Sequence, residues 1–347
     1  MSAVAVWVVP VSNLAGVARH VLDVARVGLP GYELQVAAPS GPLVQELRGL
    51  GVVTHELPLD GPPRRAVQAL RALVRQVRPR VVHSHLARAD FLVVAAAAGL
   101  PVHLVSTEHG IASDSRLYHG GRAKAAVRRV LHRLRVRRFS ALIAVSRSTQ
   151  QEMVRAWRPP RPVQVIHNGV DPSGPPPRLP GHRFLTLSRL APEKGLAATL
   201  EAFAAIAARE TGATLTIAGD GPDRDALTAH AARLGLGDRV SFPGHLHPEA
   251  ALASHDVLLQ LSVWENASYS ILDAVTHGLG VVATPVGGNP EILPAHCMVD
   301  SADIPRVADV MQEQATLPAR RPSLPERWPT VASMAQQIAD SYDRLPR

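Results

Sequence analysis

Glu265 and Asp273 stand eight positions apart in SVWENASYSILDAVTHG, the only two charged residues of that stretch. Two carboxylates in uncharged surroundings can be an acid/base pair, metal ligands or receivers of hydroxyl hydrogen bonds, and residue type alone leaves all three open. Upstream, SRLAPEKG places Arg189 and Lys194 five apart. From one loop a planar guanidinium and a point-charge ammonium can converge on a single anion, and together they suit a diphosphate. The competing reading is a solvated turn with incidental charges. Lysine is scarce, Lys124 and Lys194 being the only two among 37 basic residues, which favours a use for Lys194.

Glycine-rich turns flank these charges. AGDGPDRDAL holds Gly219 and Gly221 before a helical stretch, where backbone N–H groups can receive a ligand. Its Asp223-Arg224-Asp225 triplet could suggest a metal motif, but acids in a helix's first turn complement the dipole without any metal. GGNPEIL is another such turn, weak alone. Near the N-terminus, VSNLAGVARH retains Gly16, either a close-approach glycine or an ordinary helix entry. His83 and His85 in VVHSH suit a structural or cleft-edge role, and STEHG sets His109 beside Glu108; with 16 histidines in the chain, none stands out by type.

These residues need elements to hold them. Short apolar runs (AVAVWVVP, ELQVAAP, RVVHSH, HLVSTEHG, ALIAVS) alternate with amphipathic segments such as VARHVLDVARVGL and AVQALRALVRQV, the pattern of parallel strands covered on both faces. Five prolines between Pro172 and Pro180 break it, marking a linker. The alternation restarts at RFLTLSRL and continues through TLTIAGDG, VSFPG, DVLLQLS, a helix from about Tyr269 to His277, and GVVATPV. The fold class is therefore α/β, with two doubly wound domains and a helical tail, TVASMAQQIADSYDRL, that packs back across a domain boundary. In such sheets ligands sit beyond the strands' carboxyl ends, where every polar motif above falls.

Composition agrees. A length of 347 residues suits two domains, the 46% hydrophobic content excludes a mostly disordered chain, and 4% aromatics leave the interior to Val, Leu, Ile and Ala. One cysteine, Cys297, argues against a disulfide framework and for a reducing compartment. Ala3 to Val11 has no basic residue before it and reads as a buried strand rather than a signal peptide. The net charge of +8 divides unevenly. Residues 1–178 hold 24 Lys+Arg against 10 Asp+Glu, and 179–347 hold 13 against 19, or +14 and −6.

SRLAPEKG, AGDGP, DVLLQLS with Glu265 closely after it, and VVATPVGGNPEIL come in an order and spacing that resemble the retaining glycosyltransferases of family four. VVHSH, STEHG, AVSRSTQQEM and VIHNGVD likewise fall where that family has its strand ends, so the resemblance covers nearly the whole chain. It implies the GT-B fold, two Rossmann-like domains facing across a cleft with the C-terminal helix crossing back. Residues 1–172 with 328–347 would form an acceptor-side domain, 173–182 a linker, and 183–327 a domain for a UDP- or GDP-type sugar donor. It implies that Arg189 and Lys194 grip the diphosphate and stabilise the leaving group with no metal and no cofactor. Glu265 would meet sugar hydroxyls and Asp273 the ribose, as carboxylates hold ribose in dinucleotide enzymes. The backbone of Asn266, Ala267 and Ser268 would approach sugar and phosphate, the base would rest on His245-Leu246, and Gly16 and Gly219 would allow close approach. His109 would contact the transferred sugar, with Glu108 orienting it or the acceptor.

Three departures stand out. Asp273 is a methylene shorter than the usual Glu, Gly280 replaces a usual Pro in what reads as a neutral change, and the segment between Glu249 and Asp256 is short by about one helical turn. The implied activity is transfer with retention to an acceptor hydroxyl in a glycolipid, polysaccharide or natural product. A same-fold epimerase and a non-catalytic nucleotide-sugar binder are the alternatives.

From Ser115 to Gln151 there is no acidic residue. Within it, Arg122, Lys124, Arg128, Arg129, Arg133, Arg135, Arg137 and Arg138 surround Val127, Val130, Leu131 and Leu134 at helical spacing, a basic amphipathic helix over 122–138. It is a solvated face over a core stripe, a surface for anionic lipid, or a surface for an acidic acceptor or nucleic acid. Nucleic acid is not expected, since the second half is acidic and no binding motif occurs. The expected location is cytoplasmic, at the inner face of the plasma membrane if the helix meets lipid.

Overall fold

The β-α alternation folds into two parallel sheets. A computed structural model of the chain describes residues 2–110, 122–172 and 179–346, with 122–126 in backbone only. Residues 1–169 with 329–347 form one compact unit and 170–328 a second.

In the first unit seven strands run in the order β3-β2-β1-β4-β5-β6-β7, all parallel. They are β1 (Ala3–Val8), β2 (Tyr32–Ala38), β3 (Val53–Glu56), β4 (Val81–His85), β5 (His103–Glu108), β6 (Ala141–Ala144) and β7 (Val163–Val165). The helices between them are α1 (Gly16–Val27), α2 (Pro42–Gly49), α3 (Pro63–Val77), α4 (Leu86–Ala96), α5 (Arg122–Val136) and α6 (Arg147–Trp157). The period-two geometry of β1 splits the core. Ala5 and Trp7 join α1 and α2 residues on one face, and Val6 and Val8 join α3 and α4 residues on the other. Edge strand β3 escapes a reading based on apolar runs, because three of the four residues of VTHE are polar and Val53 is exposed.

The second unit has the order β10-β9-β8-β11-β12, also parallel. Its elements are β8 (Arg183–Leu187), α7 (Leu196–Ala207), β9 (Thr214–Ala218), α8 (Arg224–Arg233), β10 (Val240–Gly244), α9 (Pro248–Ser254), β11 (Val257–Gln260), α10 (Tyr269–Thr276), β12 (Gly280–Ala283), α11 (Asn289–Ile292) and α12 (Ile304–Thr316). The final helix, α13 (Val331–Asp343), belongs to the first unit, where Met334, Ile338 and Tyr342 enter the core around Trp7. The Trp7 indole N–H donates to the Tyr342 hydroxyl at 3.0 Å.

Two expectations change. Gly280 is not a neutral replacement: a Cβ there would lie 2.8 Å from Cβ of Gln314 and 2.9 Å from its carbonyl oxygen, so glycine lets α12 pack on β12. The basic helix ends at Val136, leaving Arg137 and Arg138 beyond it, and its stripe is not a core stripe. Val127, Val130, Leu131 and Leu134 are 47–60% exposed, while Arg135, counted with the basic face, is buried. Arg135 bonds Asp90 closely, reaches Glu108 at 3.0 Å, and lies 4.5 Å over the Trp157 ring.

Candidate active site

All parallel strands of the second unit deliver their following loops to the same sheet edge, and backbone hydrogen bonds stitch four of those loops together. Leu190 N–H donates to Asp220 O at 2.9 Å, joining the loops after β8 and β9. Val263 N–H donates to Glu193 O at 2.8 Å, and Gly288 N–H to Asn266 O at 2.5 Å, bringing in the loops after β11 and β12. Such close approach leaves no room for side chains. A Cβ on Gly219, at φ 133°, would sit 1.9 Å from Ser188 O, and one on Gly287, at φ 57°, would sit 1.8 Å from Glu265 O. The GGNPEIL turn, weak as sequence, thus fixes the backbone at Glu265.

Onto this frame the structure brings the charged set. Lys194 ends a short 3₁₀ turn, Pro192–Lys194, and its Nζ lies 2.8 Å from Oε2 of Glu265. Both side chains are largely buried, at 20% and 13% exposure. Among the described residues, Glu265 otherwise holds only long contacts from Ser262 Oγ (3.3 Å) and Asn266 N (3.4 Å). Arg189 pairs closely with Glu193. Burial opposes ionisation of Glu193, but its backbone hydrogen bond and the Arg189 and Lys194 charges hold its carboxyl below the usual range. Sequence reasoning overlooked Glu193, although it lies four residues from Arg189 in the same motif.

Asn266 and Ala267 follow Glu265, and Ser268 caps α10 by accepting from Ile271 N at 3.3 Å while Gln260 Nε2 donates to its hydroxyl at 2.8 Å. Asp273 sits half-buried on the second turn of α10, its carbonyl accepting from His277 N at 3.0 Å. Leu246 is exposed in the loop after β10, which Gly219 N–H joins through Gly244 O at 2.7 Å. Asp223 precedes α8 and Asp225 lies in its first turn, the dipole-complementing position.

In the first unit Gly16 opens α1, exposed. His109 follows β5, buried, with its Nε2 2.9 Å from Nδ1 of His85. Leu86, next after His85, adopts φ 73°, a conformation that costs roughly 1–3 kcal/mol for a residue with a Cβ and that fixes where β4 delivers His85. His83 is structural: Thr107 Oγ1 lies 2.7 Å from its Nε2 and Tyr342 closely against its Nδ1. Glu108 accepts from Arg135 at 3.0 Å, and burial pushes its carboxyl up. Burial likewise lowers His109 well below the ordinary imidazole value.

Two family models match consecutive parts of the chain, "Glycosyltransferase Family 4" over 14–173 and "Glycosyl transferases group 1" over 181–315. The chain belongs to glycosyltransferase family four. Among curated relatives of this family-four chain, glycogen synthase of Mycobacterium tuberculosis is 31% identical over 230 residues, covering 62% of this chain and 54% of the relative. The GDP-mannose-dependent alpha-(1-6)-phosphatidylinositol monomannoside mannosyltransferase of the same organism is 30% identical over 196 residues, 49% of this chain and 51% of its own. The chain thus spans about half of these relatives' length. Among solved structures, HepE of Anabaena in complex with UDP and glucose superposes with a TM-score of 0.82 at 20% identity, covering 98% and 99% of the two chains. The lipopolysaccharide outer core galactosyltransferase WaaB gives 0.69 at 17% identity over 99% of each. The fold of this family-four member is therefore GT-B, built of two Rossmann-like units.

Proposed function

We propose that the protein transfers a sugar, with retention, from a UDP- or GDP-type donor to an acceptor hydroxyl. The observation that carries this is the Lys194–Glu265 pair at the junction of four glycine-tightened loops, with Arg189 on the same β8 loop as Lys194. A diphosphate competes with Glu265 for Lys194, and the released carboxylate then accepts hydrogen bonds from vicinal sugar hydroxyls. Lys194 and Arg189 stabilise the charge that develops on the departing nucleoside diphosphate. In the front-face step the anomeric C–O bond to phosphate breaks and the bond to the acceptor oxygen forms on the same face. The acceptor's proton passes to the departing phosphate oxygen, so no protein carboxylate need act as nucleophile. Asp273 receives the ribose hydroxyls, through water if its shorter reach requires, while Leu246 supports the base and His109 contacts the transferred sugar. Residues 1–172 with 328–347 carry the acceptor, and 183–327 the donor.

The acceptor reading includes lipid-linked sugars. The exposed Val127, Val130, Leu131 and Leu134, flanked by exposed Arg128, Arg129, Arg137 and Arg138, match an anionic membrane surface, and the relative named for a phosphatidylinositol monomannoside supports it. Among the described residues no helix is long and apolar enough to cross a membrane. The deciding experiment follows donor turnover with a panel of UDP- and GDP-sugars and glycolipid, polysaccharide and small-molecule acceptors. Nucleotide binding with neither transfer nor hydrolysis of any donor would sink the enzyme reading and favour a non-catalytic binder.

A further inference from the structure

In the first unit, His20 on α1, His85 at the end of β4 and His109 after β5 converge in the core, each less than 10% exposed. One ring nitrogen from each lies within 4.8 Å of the others, and among the described residues no other group of three or more His, Cys, Asp or Glu does so. We propose that these three imidazoles form a binding site for a divalent transition ion of the zinc class.

Neutral imidazole is a preferred ligand for zinc, copper and nickel, and three histidines leave a tetrahedral ion one open position. The supporting shell is present. Nδ1 of His20 lies 3.2 Å from Oδ1 of Asn168, an acceptor, so this ring carries its proton on Nδ1 and presents the Nε2 lone pair. That buried Nε2, and Nε2 of His85, have no hydrogen-bond partner among the described residues, in contrast to His83 in the same core, whose two nitrogens are both bonded. Trp7 stacks on His20 at 5.8 Å and packs against His85 at 4.6 Å, limiting ring rotation and keeping the surroundings apolar. Ligand nitrogens around tetrahedral zinc lie about 3.3 Å apart, given Zn–N bonds of about 2.0–2.1 Å. The three imidazole nitrogens lie within 4.8 Å of one another, so a bound ion would draw them closer together. The site uses none of Arg189, Lys194 or Glu265, but it shares His109 with the proposed sugar contact.

The full chain, without a histidine tag and stripped by chelator, is titrated with Zn²⁺ against a chromophoric chelator and with Co²⁺ by visible absorption. We expect a single equivalent bound and the intense bands of four-coordinate Co²⁺, both lost in His20→Gln and His85→Gln. Asn168→Ala, which removes no ligand, should weaken binding about 10–100-fold, and it serves as the probe if a histidine variant does not fold. Absence of stoichiometric binding by the folded wild type overturns the site. So does binding that survives unchanged in folded His20→Gln, or in Asn168→Ala.

Discussion

Replacing Lys194 with alanine removes a cation that serves two roles. In the protein as it stands, Nζ is 2.8 Å from Glu265 Oε2, and Glu265 is only 13% exposed, so the substitution strands a carboxylate held otherwise by two contacts of 3.3 and 3.4 Å. A charged hydrogen bond contributes about 1.5–3 kcal/mol, and the residual exposure of both groups lowers the expected loss of stability to about 1–2 kcal/mol. The effect on transfer should be larger. Losing one preorganised contact to developing charge costs about 10²–10³ in kcat, or ~2.7–4 kcal/mol. Denaturant unfolding and release of nucleoside diphosphate, measured on Lys194→Ala, Glu265→Gln and the double variant, separate the two roles. The double variant should regain most of the stability, since both charges are gone, yet remain inactive. Near-normal transfer by Lys194→Ala refutes its place at the diphosphate. A double variant as unstable as the single one refutes the pair as the source of the stability loss.

Further outcomes are expected elsewhere. Gly219→Ala, forcing a Cβ against Ser188 O, should weaken nucleoside-diphosphate binding measured by calorimetry while leaving the fold's circular dichroism intact. Arg135→Met leaves Asp90 and Glu108 buried without their cation and should cost about 3–5 kcal/mol in urea unfolding; a loss below 1 kcal/mol, the ~0–1 expected of a surface pair, would contradict the network. Burial and Glu108 push Asp90 up to about 7 against the pull of Arg135 and of hydroxyls from Ser84 and Ser106. An acid raised in the folded state stabilises it below its unfolded value and loses that contribution as pH rises through the folded one. The stability difference between wild type and Asp90→Asn should therefore shift against the wild type between pH 3.8 and about 7, and a flat difference refutes the shift. Leu131→Glu with Leu134→Glu should abolish sedimentation with anionic liposomes, which in the wild type should weaken with salt. Absence of wild-type binding at low salt removes the membrane reading.

Much of the architecture was legible because parallel strands buried on both faces must be written as apolar runs, and TLTIAGDG and DVLLQLS are such runs ended by the loops that carry polar groups. Arg189, Lys194, Glu265 and Gly219 each lie past a strand end, which is why the sequence alone could group them as candidates at one sheet edge. Edge strand β3 was not legible, because one side of it faces water and its pattern thins to VTHE.

The sequence by itself determined the α/β alternation, the order of the motifs and the family, all of which depend on residue type and spacing along the chain. Only the tertiary structure decided which groups meet. It set Lys194 against a carboxylate 71 residues away and Gly287 under the backbone of Glu265. It sent Arg135 inward while its apolar neighbours face solvent, and it drew three histidines from three separate elements into one cluster. Helical and strand periodicity state which residues share a face. What that face meets depends on the packing of other elements, and neither burial nor pairing with distant residues is written in local spacing.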